Sequence, residues 1–88
     1  MISHTNSAFW KGYAKLPSQV REIAKKQYQL FSQDPYHASL HFKRVHSSKA
    51  IYSARINKSY RAVGLLNNNI IIWFWVGSHD DYSKLLKN

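Results

Sequence analysis

Two periods of hydrophobicity divide this chain at Pro35. Before it, apolar positions recur at helical spacing: first Phe9, Tyr13 and Leu16, then Val20, Ile23, Ala24 and Phe31, with Gln27 on the same face. Arg21, Lys25 and Lys26 take the outside of the second set. Ser7 is placed to cap the first helix, Pro17 ends it, Ser18 begins the second, and Asp34-Pro35 stops that one. Two antiparallel helices of unequal length result. After Pro35 the period becomes strand-like, in the runs "LHFKRVH", "AIYSARIN", "YRAVGLL" and "IIIWFWV", separated by "SSK", "NKS" and "NNN". Connections this short join antiparallel neighbours. The all-apolar last run reads as a central strand covered on both faces. Gly77 breaks it, and residues 79–86 form a short terminal helix or tail. Residues 1–6 are polar and make either a first strand or a loose end. The expected architecture is α+β: an N-terminal helical hairpin on one face of a four-stranded, mainly antiparallel sheet, with a short C-terminal helix.

Composition limits what such a domain does. At 88 residues, 44% hydrophobic and 15% aromatic, the chain holds one modest core, so we expect a single domain over residues 1–88. Thirteen Lys and Arg oppose four Asp and Glu, a formal charge of +9. No carboxylate occurs from Pro35 to His79, whereas Lys43, Arg44, Lys49, Arg55, Lys58 and Arg61 all lie there. Ordinary solvated surfaces mix signs; a field of one sign suits a polyanion or an acidic protein. Cysteine is absent, which removes disulfides and Cys-based zinc sites. His37, His41 and His46, separated by three and four residues, share no helix, so neither metal nor cofactor is expected. The N-terminus lacks an apolar signal core and "IIIWFWVG" is too short to span a bilayer, so a cytoplasmic protein without membrane contact is expected.

Strand alternation then sorts the chemistry. Ser53 and Arg55 face one way, opposite Tyr52, Ala54 and Ile56; Arg61, Val63 and Leu65 oppose Tyr60, Ala62 and Gly64. If the aromatic and aliphatic set covers the helices, Arg55 and Arg61 emerge together on the other, open face as a fork for one phosphate. The segment "VGSHDDYSKLL" carries two readings. Ser78 and Asp81 fit a capping box, with Asp80 and Asp81 favoured at a helix N-terminus. His79 and Tyr82, three residues apart and so close on one helical face, are left unexplained by that: an imidazole able to move protons and a phenol able to bond a phosphate or stack on a base. His46 is a second proton-carrier candidate. Trp73 and Trp75, placed on one strand face, are read as core, and Trp10 as packed between helices and sheet.

The run "LHFKRVHSSKAIYSARINKSYRAVGLL", followed by "IIIWFWVGSHDDYSKLL", resembles the RelE/ParE superfamily of type II toxins, and "FWKGYAKLP" to "FSQDP" is similar to that family's helical hairpin. The resemblance covers nearly the whole chain. It implies a RelE-like fold and one of two activities. RelE-like members cut messenger RNA in the ribosomal A site; ParE-like members inhibit DNA gyrase; an inactive relic is a third outcome. We favour the nuclease, working by attack of the RNA 2′-hydroxyl. By position, Arg61 in "YRA" falls on the arginine that contacts the scissile phosphate and Arg55 on a strand lysine or arginine. His79 falls on the terminal histidine, and Tyr82 near the terminal aromatic. Ser53 departs from the pattern, since some members carry a second lysine there. Lys43, Arg44, His46, Lys49 and Lys58 complete the expected RNA-binding set. The implied partners are an acidic cognate antitoxin, the ribosome and its messenger RNA, with DNA reached only through an antitoxin complex.

Overall fold

The computed structural model describes residues 1–87. In chain order it contains β1 (Ile2–Thr5), α1 (Ser7–Ala14), α2 (Ser18–Gln33), a 3₁₀ turn (Ala38–Leu40), β2 (Lys43–Arg44), β3 (Ile51–Asn57), β4 (Tyr60–Asn67), β5 (Ile70–Ser78) and α3 (His79–Leu86). The architecture is α+β, but the sheet has five strands rather than four, in the order β1-β5-β4-β3-β2. Strands β2 to β5 form the antiparallel meander. The addition is β1, parallel to β5, with Ile2 opposite Ile70 and Thr5 opposite Trp73. The free edge of β5 supplies the partners that make residues 2–5 a strand: the Ile2 N–H donates to the Asn69 carbonyl at 2.8 Å and the Asn6 N–H to the Trp73 carbonyl at 3.1 Å.

Local chemistry adjusts the expected boundaries. Asn6, not Ser7, caps α1: its backbone is still extended, and its side-chain oxygen accepts from the Phe9 N–H at 3.0 Å. Helix α2 starts at Ser18, and the Arg21 guanidinium closes the hairpin on the Leu16 carbonyl at 2.7 Å. "LHFKRVH" yields only the two residues of β2. The 3₁₀ turn and a left-handed His41 (φ 45°) let both Leu40 and Phe42 reach the core.

Helices α1 and α2 cover one face of the sheet. Phe31, Leu40, Phe42, Ala54, Ile71 and Trp73 form one part of the core; Leu16, Val20, Ile56 and Val76 form the other. Gly12 lets α1 lie close on β5, since a Cβ there would stand 2.8 Å from the Val76 carbonyl oxygen. Trp10 is 52% exposed, its Nε1–H on Thr5 Oγ1 at 2.8 Å, rather than packed between helices and sheet.

On the opposite face lies α3. A bulge between β4 and β5 pairs Val63 with Trp75 and Gly64 with Trp73, leaving Phe74 as the extra residue. The two tryptophans therefore point to opposite faces. Trp73 packs edge-on against Phe31, 5.3 Å between ring centres, while Trp75 faces Tyr82 of α3 at 6.5 Å. Strand β5 is also second from the edge, not central, and α3 covers only part of its outer face: Ile70 and Ile72 remain 39% and 41% exposed.

Candidate functional site

Arg55 and Arg61 are direct cross-strand partners, on the side of the sheet that carries α3. They flank the tight β3–β4 turn, which Asn57 shapes by accepting the Ser59 N–H on its side-chain oxygen at 2.8 Å. The Arg61 guanidinium folds back onto this turn, donating to the Asn57 and Tyr60 carbonyls. The start of α3 is tied to the same turn, because the His79 N–H donates to the Ser59 carbonyl at 2.8 Å. Ser78 caps the helix as the sequence indicates, accepting the Asp81 N–H at 3.2 Å. The result is a cleft of about 320 Å³ lined by Lys58, Ser59, Tyr60, Arg61, Ser78, His79 and Asp80.

Electrostatics single out Arg61. Burial, and then the neighbouring Arg55 charge, push its pKa below the ordinary guanidinium value; Tyr82 acts weakly the other way. A guanidinium keeps its proton across the physiological range. The lowering reflects partial burial and the like charge of Arg55 beside it. Of its five N–H donors, those on one terminal nitrogen serve the turn carbonyls. An anion entering the cleft would supply what burial and Arg55 take away.

Tyr82 differs from the other three candidates. It is buried, and its hydroxyl donates to Ser53 Oγ at 3.2 Å inside the sheet–α3 interface. Its ring stands 5.8 Å from the exposed His79 imidazole. Arg55, Arg61 and His79 thus converge on one end of the sheet while Tyr82 anchors the helix beneath.

Among the remaining basic residues, Lys58 alone lines the cleft. Lys43 lies exposed on the β2 edge, opposite Ser53. Arg44 clamps its own loop through the His46 and Lys49 carbonyls at 3.1 and 3.2 Å. His46 Nδ1 accepts the Ser48 and Lys49 N–H groups, and with Lys49 it borders Leu85 and Leu86 at the far end of α3. His46 and His79 are therefore at opposite ends of one helix. Among the described residues, no three His, Asp or Glu side chains gather as a metal site. Sequence reading passed over Asn57 and Ser59; the turn signal "NKS" marked them, without showing that they hold Arg61 and His79.

A family model described as "ParE-like toxin domain" matches residues 18–84. No curated protein matches the sequence. Among solved structures, the fold is similar to a chain of the RelB–RelE antitoxin–toxin complex from Methanococcus jannaschii, with 17% identity, 93% of this chain and 96% of that one covered, and a TM-score of 0.76. It is also similar to the YoeB/ParE toxin of Agrobacterium tumefaciens, with 13% identity, 90% and 99% covered, and a TM-score of 0.69. A chain of the intact E. coli RelBE toxin–antitoxin complex is 23% identical over 86% and 93% of the two chains, with a TM-score of 0.63. At these identities the likeness is one of fold.

Proposed function

The chain belongs to the ParE-like toxin family, and on that premise we propose that it is the toxin of a type II toxin–antitoxin system, a ribosome-dependent endoribonuclease centred on Arg61, Arg55 and His79. In the proposed reaction the RNA 2′-hydroxyl attacks the adjacent phosphorus. The 2′-O–P bond forms, the P–O5′ bond breaks, and the ends are a 2′,3′-cyclic phosphate and a 5′-hydroxyl. The nucleophile belongs to the substrate, so the protein supplies position, charge and a proton carrier. His79, exposed at the rim of the cleft, takes the 2′-hydroxyl proton or donates one to the leaving oxygen. Arg61 and Arg55 hold the charge that builds on phosphorus, a contribution that is often the largest. The ribosome aligns the message, which leaves little for a small domain to order by itself. Lys58 adds charge at the mouth, and Lys43, Arg44 and Lys49 a wider field for the RNA backbone.

The observation that carries this reading is geometric: Arg61 is the direct cross-strand partner of Arg55 and lines one cleft with His79. The basic surface further supports an acidic antitoxin that masks the field and stabilises the fold by mass action. DNA would be reached only in that complex. No helix among the described residues is long and apolar enough to cross a membrane, and a ribosomal target puts the protein in the cytoplasm.

The test is cell-free translation with primer extension on the message. Wild type cuts within translated codons; folded His79→Ala loses cutting by roughly 10²–10⁴, the usual worth of a proton carrier, and folded Arg61→Ala by roughly 10²–10³, that of one transition-state donor. Full cutting by either folded variant would overturn the assignment. The ParE-like description of the matching family model favours a second reading, inhibition of DNA gyrase. A gyrase inhibitor has no use for His79, so supercoiling inhibition that survives His79→Ala would select it; neither activity in folded protein would mark an inactive relic.

A further inference from the structure

The inward stripe of α2 runs Val20, Ala24, Gln27 and Phe31. Its apolar members pack on the sheet, but Gln27 is a long polar side chain in the same row. It is half-buried and borders an apolar cavity of about 50 Å³ between α2 and the sheet, beside Phe31, Ala54 and Trp73. An amide set there loses water and needs a partner from the protein. The partner is the Arg55 carbonyl, which accepts from Gln27 Nε2 at 3.1 Å.

That carbonyl lies where β3 has little support. Strand β2 pairs with β3 at Tyr52 and Ser53 and goes no further, so no strand flanks Arg55 on that edge. On the other edge the register with β4 slips immediately after Arg55, with Ile56 as the extra residue before Asn57 meets Tyr60. Arg55 and Arg61 stand directly opposite at this junction, and like charges so placed push their strands apart. Arg61 is fixed by its own guanidinium, bonded to the Asn57 and Tyr60 carbonyls. Arg55 is tied through its backbone, by Gln27 reaching it from the α2 side of the sheet.

We propose that Gln27 is a positioning residue: its amide holds the Arg55 backbone in register with Arg61, from behind, and so keeps the two guanidiniums together on the α3 side. This deepens the proposed function and rests on it only for what the pair then binds. Placement of Arg55 is read without any anion, so its failure and the failure of the anion-site reading are separable.

The test compares wild type with Gln27→Met, which keeps the length and loses the donor, and Gln27→Asn, which keeps the amide but falls one methylene short. In the isotope-labelled full chain, nitrogen relaxation at the Arg55 and Arg61 Nε–H groups reports how firmly each guanidinium is held. Sulfate titration at low salt then reports the pair as an anion site. We expect both variants to loosen Arg55 and leave Arg61 as in wild type, and to bind sulfate about fivefold more weakly, roughly the worth of one hydrogen bond. On an Arg55→Ala background neither substitution should weaken sulfate further. Unchanged order at Arg55 in both variants would overturn the proposal. So would sulfate affinity that falls again without Arg55, or that follows the two variants' thermal midpoints, since either marks a purely structural role. If sulfate misses the pair in wild type while both variants still loosen Arg55, the positioning role stands and the anion-site reading falls.

Discussion

The hydrogen bond from Tyr82 to Ser53 joins α3 to β3 at a point closed to water, Ser53 being 2% exposed and Tyr82 9%. Tyr82→Phe keeps the ring against Trp75 and removes only the hydroxyl. Ser53 then loses its side-chain partner in a place where solvent cannot replace it. Leaving a buried polar group unpaired costs about 1–3 kcal/mol, whereas an ordinary bond contributes only about 1 kcal/mol net. We therefore expect Tyr82→Phe to lose about 1–2 kcal/mol. Ser53→Ala should cost a similar amount, because it leaves the Tyr82 hydroxyl without its partner. In the double variant no buried group is left alone, so its loss should fall short of the sum of the two by about 1 kcal/mol. Urea unfolding followed by tryptophan fluorescence reads all three, and at this size each kcal/mol moves the thermal midpoint by about 4–8 °C. A coupling within 0.3 kcal/mol of zero, a bound taken as roughly the limit of additivity for independent sites, would show that the bond does not hold α3 in place.

Three further outcomes test other parts of the structure. Gly12→Ala gains about 1 kcal/mol of helix propensity but sets a Cβ 2.8 Å from a backbone oxygen of β5; overpacking of about 1–3 kcal/mol should leave the variant less stable in urea, and a stabilised one would refute the close approach of α1. Sulfate, a phosphate mimic, should raise the wild-type thermal midpoint more than sodium chloride of equal ionic strength, and that excess should shrink in Arg61→Gln to sulfate's general effect on burial. The pH dependence has a definite sign. The folded pKa of Arg61 lies below its unfolded value, so the penalty for charging it in the fold is fully present below the folded pKa and is relieved only as pH rises through it. That range lies far above neutrality, so the sulfate effect attributable to Arg61 should not change between about pH 6 and pH 9; a change there would point to another group.

Periodicity disclosed what depends on neighbours in sequence. The span of α2, the β3 to β5 meander, the Ser78 cap and the shared face of Arg55 and Arg61 all follow from spacings within a few residues. What stayed hidden depends on partners far along the chain. Nothing in "ISHT" announces a parallel partner some seventy residues away. The bulge at Phe74 sits in a run without Gly or Pro, so alternation put Trp73 and Trp75 on one face when one extra residue had parted them. The inward aim of Tyr82 depends on where α3 lands, and helix spacing alone could bring it to His79 but not to Ser53.

The parallel partnership of β1 with β5 also joins the two segments of the sheet most distant in sequence. The meander closes through short local turns, whereas β1 must find β5 across almost the whole sequence, a pairing that is slow for reasons of topology. Until it does, "IIIWFWV" is the bare edge of the sheet. That run is β-rich, uncharged and free of proline, the composition of segments that pair between chains and aggregate. Four residues close that edge, with Ser3 accepting the Trp73 indole N–H at 3.0 Å and the Tyr28 hydroxyl at 3.2 Å. The polar first strand is thus a guard: it covers an edge that would otherwise be open to pairing with another chain.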